Sequence, residues 1–346
     1  MFTFWKKKQF WGALIAIALL IYCVKDIRAI DIRELSSRLN YWYAIPAVLA
    51  SFLFQILRGL RWRLMISHQT PIPVVRGASL YAAGQVLNTL MPVLTGQVGR
   101  MILFARKTGL RKTFIFSNIV LEVLFDAVSL IVFLIITSLA FVFPEQYRSV
   151  SFVIVALTAV LVVILYLILQ YRETLEALGA RWFRERWPGF YITLMKFLRS
   201  FTKGIELLKS SQHMAGILAY SLSSWLFHVL VVYFLFKSFG LDLEFAVAAA
   251  VMIINSLVLM IPITPGNAGT FEVAVSTVLT AFAVGRSDAV LFALALHLID
   301  LLPIFILGLG YLRFQRISIK DFRAHEEKDL FDHIAEDGTL IEEEKV

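Results

Sequence analysis

The sequence predicts an all-α polytopic membrane protein, with about six spanning helices and two re-entrant broken-helix elements in an inverted repeat. Three observations carry that reading. Of the 346 residues, 59% are hydrophobic and only 17% charged, with a mean hydropathy of +0.77. A soluble domain carries about a quarter charged residues. The apolar residues come in runs near the roughly 20 that a spanning helix needs. Two of those runs are interrupted in corresponding places by Pro, Gly and Asn.

The expected spans are residues 9–24, 41–60, 113–142, 150–170, 214–236 and 288–312, and the interrupted stretches are 77–99 and 245–284. The opening "MFTFWKKKQFWGALIAIALLIYCV" has the basic start and apolar run of a signal peptide. No small-residue cleavage site follows, so it reads as a retained first span. The single cysteine, Cys23, excludes a disulfide framework and any multi-cysteine metal site. The net charge of +8 does not point to nucleic acid, because the basic residues sit between spans.

Suppose each interrupted stretch dips in and returns to its own side. Most of the 33 Lys and Arg residues then fall on one face, Arg58, Arg61, Arg63 and Arg76 among them. The positive-inside rule makes that face cytoplasmic, with both termini on it. Residues 25–40 fit poorly, since Lys25, Arg28, Arg33 and Arg38 are left outside. The expected location is a prokaryotic cytoplasmic membrane.

The topology exposes an internal symmetry. Residues 41–142 and 214–312 contain the same three elements upside down, within one transmembrane domain spanning 1–315. Asn88 precedes Pro92, then Gly96 and Gly99; Asn255 precedes Pro262, then Gly266 and Gly269. Paired interrupted segments in inverted repeats point to a transporter's midplane site. Kinks in ordinary membrane helices are the plainer explanation for one such stretch. Two in corresponding positions favour the re-entrant one.

Non-helical backbone at membrane depth is tolerated where it is buried or lines a watery cavity. A broken helix there offers free N–H groups with partial positive charge, suited to phosphate or carboxylate. In "MPVLTGQVGR", Thr95 is positioned to cap a new helix, and Gly96 and Gly99 to let a headgroup approach. Arg100 adds a fork suited to phosphate oxygens. In "PITPGNAGTFE", Gly269 and Glu272 have the spacing of an N-cap and its N3 residue, so Glu272 reads equally as a cap. The functional alternative makes it a proton site, or the partner of Arg100 or of a cationic headgroup.

Glu122 and Asp126, four apart, face one side of the span at 113–142. His297 and Asp300 do likewise in 288–312, and His228 lies mid-span in 214–236. Ionisable groups at such depth are expensive and face an interior. The carboxylate pair is the stronger signal; each lone histidine reads first as a neutral interhelical hydrogen bonder.

Between the halves, residues 172–210 read as a cytoplasmic amphipathic helix lying on an anionic leaflet. Tyr191, Leu194, Leu198, Phe201, Ile205 and Leu208 form its apolar stripe. The polar, acidic tail, 316–346, reads as largely disordered.

The run "RGLRWRLM", then "NTLMPVLTGQVGR", the carboxylate pair in "LEVLFD", and "PITPGNAGTFE" together resemble a known family. It is the flippase-like transmembrane region of lysylphosphatidylglycerol synthases, and the resemblance covers about residues 5–315. It implies a polytopic protein that moves a lipid between leaflets, with its motif residues at Asn88, Pro92, Gly96, Gly99, Arg100, Glu122, Asp126, Pro265, Gly266, Gly269 and Glu272. Val123 stands where the family often has arginine, and Gln97 near where it often has glutamate. Those synthases carry a large soluble aminoacyl-transfer domain after the membrane part. Only a short polar tail follows here, so the expectation is a chain that makes no aminoacylated lipid and moves either one made elsewhere or a different anionic lipid.

The expected headgroup site thus comprises Asn88, Thr95, Gly96, Gly99, Arg100, Asn255, Gly266, Asn267 and Gly269. The expected proton or charge-coupling groups are Glu122, Asp126, Glu272, His297 and Asp300. No catalytic residue, metal or cofactor is expected. The expected partners are anionic membrane lipids and a separate lipid-modifying enzyme. A lipid flippase or scramblase competes with a membrane enzyme acting on lipid-linked phosphate or sugar, and with an ion-coupled solute carrier. No nucleophile–base pair or HExxH spacing supports the enzyme, and no GxxxxGK[ST] loop supports ATP hydrolysis.

Overall fold

The computed structural model describes residues 2–25, 27, 29–91, 94–140, parts of 156–170, 171–184, 186–205, 210–259 and 264–315. Among these residues the protein is all helical. The first half runs α1 (Phe2–Val24), α2 (Ala29–Arg38), α3 (Tyr41–Ile66), α4 (Val74–Leu90), α5 (Leu94–Thr108) and α6 (Lys112–Ala140). The second runs α7 (Arg172–Phe183), α8 (Pro188–Ile205), α9 (Ser211–Ser238), α10 (Phe245–Val258), a 3-10 turn (Pro265–Asn267), α11 (Thr270–Ala281) and α12 (Arg286–Phe314).

Four helices, α3, α6, α9 and α12, are long and apolar enough to cross a membrane. They correspond to four of the six expected spans. The described apolar part of α1, Trp11–Val24, is shorter. The expected span at 150–170 and the tail at 316–346 lie wholly or largely outside the described residues. So do Pro92 and Pro262.

Local chemistry explains the helix ends. The Asn40 side chain caps α3 by accepting from the Trp42 N–H at 3.2 Å. In the first stretch the helix ends beside a proline; in the second, α10 ends at Val258 and a proline opens the turn that follows. Met91, before Pro92, is extended (φ −93°, ψ 144°), as is Thr264, before Pro265 (φ −121°, ψ 151°). The proline ring disfavours a helical conformation in the residue preceding it. The Pro265 turn then passes through the left-handed region at Gly266 and Asn267, and again at Gly269 (φ 84°).

The packing of α3–α6 repeats in α9–α12. α3 packs along α9; α4 packs on α12 as α10 does on α6; α3 also touches α12 as α9 touches α6. Successive helices touch within each half, and α3 meets α6 as α9 meets α12. Exchanging the halves leaves this pattern unchanged. One core cluster gathers around α9–α12, with Ala50, Leu130 and Leu134 joining from the first half. Another gathers around α3–α6, with Tyr311 and Leu312 joining from the second. Small residues permit the closest crossings: a Cβ on Gly308 would lie 2.6 Å from the Ala82 carbonyl oxygen, where α12 crosses α4.

The amphipathic segment is two helices rather than one, with Pro188 opening the second. Of its stripe Phe201 is buried and packs on Phe116 of α6, and outside the stripe Met195 is buried and Phe197 also packs on Phe116. Residues 206–209, including Leu208, lie outside the described residues. The poorly fitting loop at 25–40 is mostly α2, and its Arg38 pairs with Asp288 at the start of α12, 3.2 Å away.

Candidate functional site: a buried arginine–carboxylate cluster beside two helix breaks

Helical spacing brings the first set of groups together. Arg58 and Arg61 lie three apart on α3, and Glu122 and Asp126 four apart on α6, so each pair shares a face. Arg58 Nη2 lies 3.2 Å from Glu122 Oε1 and 3.1 Å from Asp126 Oδ2. Arg61 Nη1 donates to Asp126 Oδ1 at 2.6 Å and to Ser221 Oγ of α9 at 2.9 Å. From α5, Arg100 pairs with Glu122, and from α4 the Tyr81 hydroxyl donates to the same carboxylate. Gln85 Nε2 donates to the Tyr81 hydroxyl at 2.8 Å, and Trp225 Nε1 of α9 to Asp126 Oδ1 at 3.0 Å. Aromatic faces complete the surroundings. Arg100 stands over Tyr81 at 4.8 Å and Phe104 at 5.2 Å, and Arg58 over Phe54 at 5.3 Å.

The cluster is deeply buried. The side chains of Arg61, Arg100 and Glu122 are 0%, 3% and 4% exposed. Three guanidiniums face two carboxylates, an excess of one positive charge. Arg58 Nε, Arg61 Nε and Nη2, and Arg100 Nε have no hydrogen-bond acceptor among the described residues. Desolvating an uncompensated charge costs several kcal/mol, a cost that an anion set against these nitrogens would offset.

The second set of groups surrounds the second break. Glu272 Oε2 accepts from the Gly269 N–H at 2.7 Å, closing the cap of α11 that the spacing predicts. Its other oxygen, Oε1, lies 2.7 Å from His297 Nδ1, and His297 Nε2 reaches the Gly266 carbonyl at 3.1 Å. The His297 ring stacks on Phe271, centroids 4.3 Å apart. One turn along α12, Asp300 Oδ2 lies 3.1 Å from His228 Nε2 of α9. Glu272 is therefore both a cap and the partner of His297, while Arg100 is engaged with Glu122.

The remaining predicted residues divide by position. Asn88 closes α4, and its backbone presses on Gly96: a Cβ there would sit 2.8 Å from Asn88 Cα and O. A Cβ on Gly99 would lie 2.9 Å from Met91 Sδ. At Gly96 the missing side chain permits the close approach of α4 and α5. Thr95 lies in the first turn of α5, with its side chain outside the described residues. Asn255 and Asn267 each bury a side-chain oxygen that has no donor among the described residues. The two breaks touch: a Cβ on Gly266 would lie 3.4 Å from Thr89 Cγ2 of α4.

Arg58 and Arg61 are what sequence reasoning misplaced. Closing an apolar run, they read as loop charges, whereas α3 continues to Ile66 and carries both inward. Tyr81, Gln85, Ser221 and Trp225 carried no signal of their own. The 3,4 spacing of Ser221, Trp225 and His228 on α9 was the available clue.

An all-helical bundle with this charge at its centre and four apolar spans defines an integral membrane protein. The chain belongs to the lysylphosphatidylglycerol synthase transmembrane-region family, whose model matches residues 9–308. It is similar to a UPF0104 membrane protein of Pyrococcus horikoshii, 24% identical over 281 residues, covering 74% of this chain and 82% of that one. A UPF0104 membrane protein of Methanocaldococcus jannaschii is 26% identical over 227 residues, covering 64% and 91%. Another, of Methanothermobacter thermautotrophicus, is 22% identical over 246 residues, covering 66% and 72%. No solved structure matches the chain significantly.

Proposed function

We propose that the protein translocates an anionic phospholipid or lipid-linked phosphate between leaflets, holding the headgroup at the Arg58–Arg61–Arg100 cluster. The observation that carries this reading is the buried excess of one positive charge, with four guanidinium nitrogens lacking acceptors among the described residues. A phosphodiester headgroup brings one negative charge and several acceptor oxygens, and guanidinium forks match that geometry. Glu122 and Asp126 hold the three guanidiniums together between loads. Without those carboxylates, mutual repulsion would splay the site.

In this reading the two interrupted stretches are re-entrant and the halves are inverted. The stretches enter from opposite faces, with both termini cytoplasmic. The exchange symmetry of the packing supports it, because alternating access in such repeats is a rocking of one half against the other around a shared site. The membership of a lysylphosphatidylglycerol synthase transmembrane family supports lipid as the cargo. The lipid tails remain outside, along the apolar surfaces of the spans.

The test is a leaflet-translocation assay in proteoliposomes with fluorescent phosphatidylglycerol. Wild type is expected to move the probe, and Arg100→Ala to abolish movement while its melting temperature shows a folded protein. A folded wild type that moves no anionic lipid would overturn the reading.

A further inference from the structure

The ion pair Arg58–Asp126 has a counterpart in the other half. Arg58 on α3 and Asp126 on α6 are joined at 3.1 Å, and His228 on α9 and Asp300 on α12 at 3.1 Å. The packing equates α3 with α9 and α6 with α12. Sequence distance agrees, since His228 lies 170 residues after Arg58 and Asp300 lies 174 after Asp126. The same cross-helix pair is built twice, once with a permanently charged base and once with a titratable one.

The two pairs are also neighbours. Phe54 takes Arg58 over its ring at 5.3 Å and stacks on His228 at 4.5 Å with the planes 9° apart. Trp225, which donates to Asp126, lies 5.8 Å from the His228 ring. The Arg58 guanidinium carbon and the imidazole centre are thus no more than about 10 Å apart, where unit charges in protein surroundings still interact appreciably. His228 is buried, and both His228 Nδ1 and Asp300 Oδ1 lack partners among the described residues.

Charge balance then dictates a linkage. Empty, the cluster carries one excess positive charge, and the neighbouring His228–Asp300 pair has net charge minus one when it holds no proton and zero when it holds one. A monoanionic headgroup makes the combined set negative by one, and one proton on the His228–Asp300 pair restores neutrality. We infer that His228 and Asp300 form a proton-binding site coupled to the arginine cluster, so that one proton is taken up with each anionic headgroup.

The groups facing this site are few. α3 contributes Arg58 and Arg61, α6 contributes Asp126 and Glu122, α4, packed on α12, contributes Tyr81, which is held by Glu122, and α10 has no ionisable residue. On the far side of Asp300, Glu272 of α11 is held by His297 and the Gly269 N–H. That carboxylate is already stabilised at a helix N-terminus, which leaves His228–Asp300 as the pair that answers a charge change at the arginines.

This inference rests on anion binding at the cluster, and one experiment separates the two. Purified protein in phosphatidylcholine nanodiscs is titrated calorimetrically with dihexanoylphosphatidylglycerol, at pH 8 in buffers of different ionisation enthalpy. Wild type is expected to take up close to one proton per lipid bound, with Kd weakening roughly tenfold per pH unit on the alkaline side. His228→Gln is expected to bind with uptake near zero. Binding without proton uptake by wild type would overturn the coupling and leave the anion site standing. Uptake undiminished both in a folded His228→Gln and in a folded Asp300→Asn would overturn the assignment to this pair. No binding at all would overturn the anion reading, and the coupling with it.

Discussion

Arg61, with no exposed side-chain surface, holds Asp126 at 2.6 Å across the packed faces of α3 and α6. Neither group belongs in an apolar interior alone. Each is admitted by the other, and both are admitted by Glu122, Arg58 and Ser221 around them. The fold is thereby pinned at the point where the proposed cargo binds.

Asp126→Ala therefore leaves Arg61 and Arg58 underpaired at depth. Breaking one member of such a buried pair costs about 3–5 kcal/mol. The variant is expected to melt well below wild type in detergent, and Arg61→Met added to it to recover part of the loss. Thermal melts of the two singles and the double form the cycle that checks this.

Glu272 separates a cap from a charge. Glu272→Gln keeps an acceptor for the Gly269 N–H and a partner for His297, so its melting point is expected to fall little. Glu272→Ala removes both, at about 1–3 kcal/mol. Comparing the two melts reads the cap. If Glu272→Gln is stable yet transports poorly, the carboxylate charge serves function as well.

Gly96→Ala is expected to destabilise the protein by about 1–3 kcal/mol, as overpacking does. Its new methyl would sit 2.8 Å from the backbone of Asn88, which has nowhere to retreat within α4. A thermal melt checks the size. An unchanged melting point would mean that α4 and α5 part more readily than this packing implies.

Arg100→Lys keeps the charge but loses the planar fork and the faces of Tyr81 and Phe104. Affinity for short-chain phosphatidylglycerol is expected to fall about tenfold, against a larger loss for Arg100→Ala. Calorimetric titration of both variants checks the ranking.

What the sequence disclosed follows from what each signal physically is. Hydrophobic length revealed α3, α6, α9 and α12 because a bilayer sets that length. Pro92 and Pro262 pointed to the two breaks, because a proline disfavours helix in its predecessor, although Pro46 and Pro303 sit inside α3 and α12 without breaking them. The Gly269–Glu272 cap was legible because capping is local. Arg58 and Arg61 were not legible as site residues, since arginine at the end of an apolar run reads as a loop charge until the partner helix is known. Gly96 shows a related ambiguity: a glycine announces a close approach without saying of what, and the structure sets the backbone of Asn88 against it.

The most direct test of the central claim is native mass spectrometry of the protein released from a defined mixture of phosphatidylglycerol and phosphatidylcholine. The account predicts selective retention of one phosphatidylglycerol by wild type, and loss of that preference in folded Arg58→Gln/Arg100→Gln. Equal retention of both lipids by wild type, or a preference unchanged in the double variant, would contradict it.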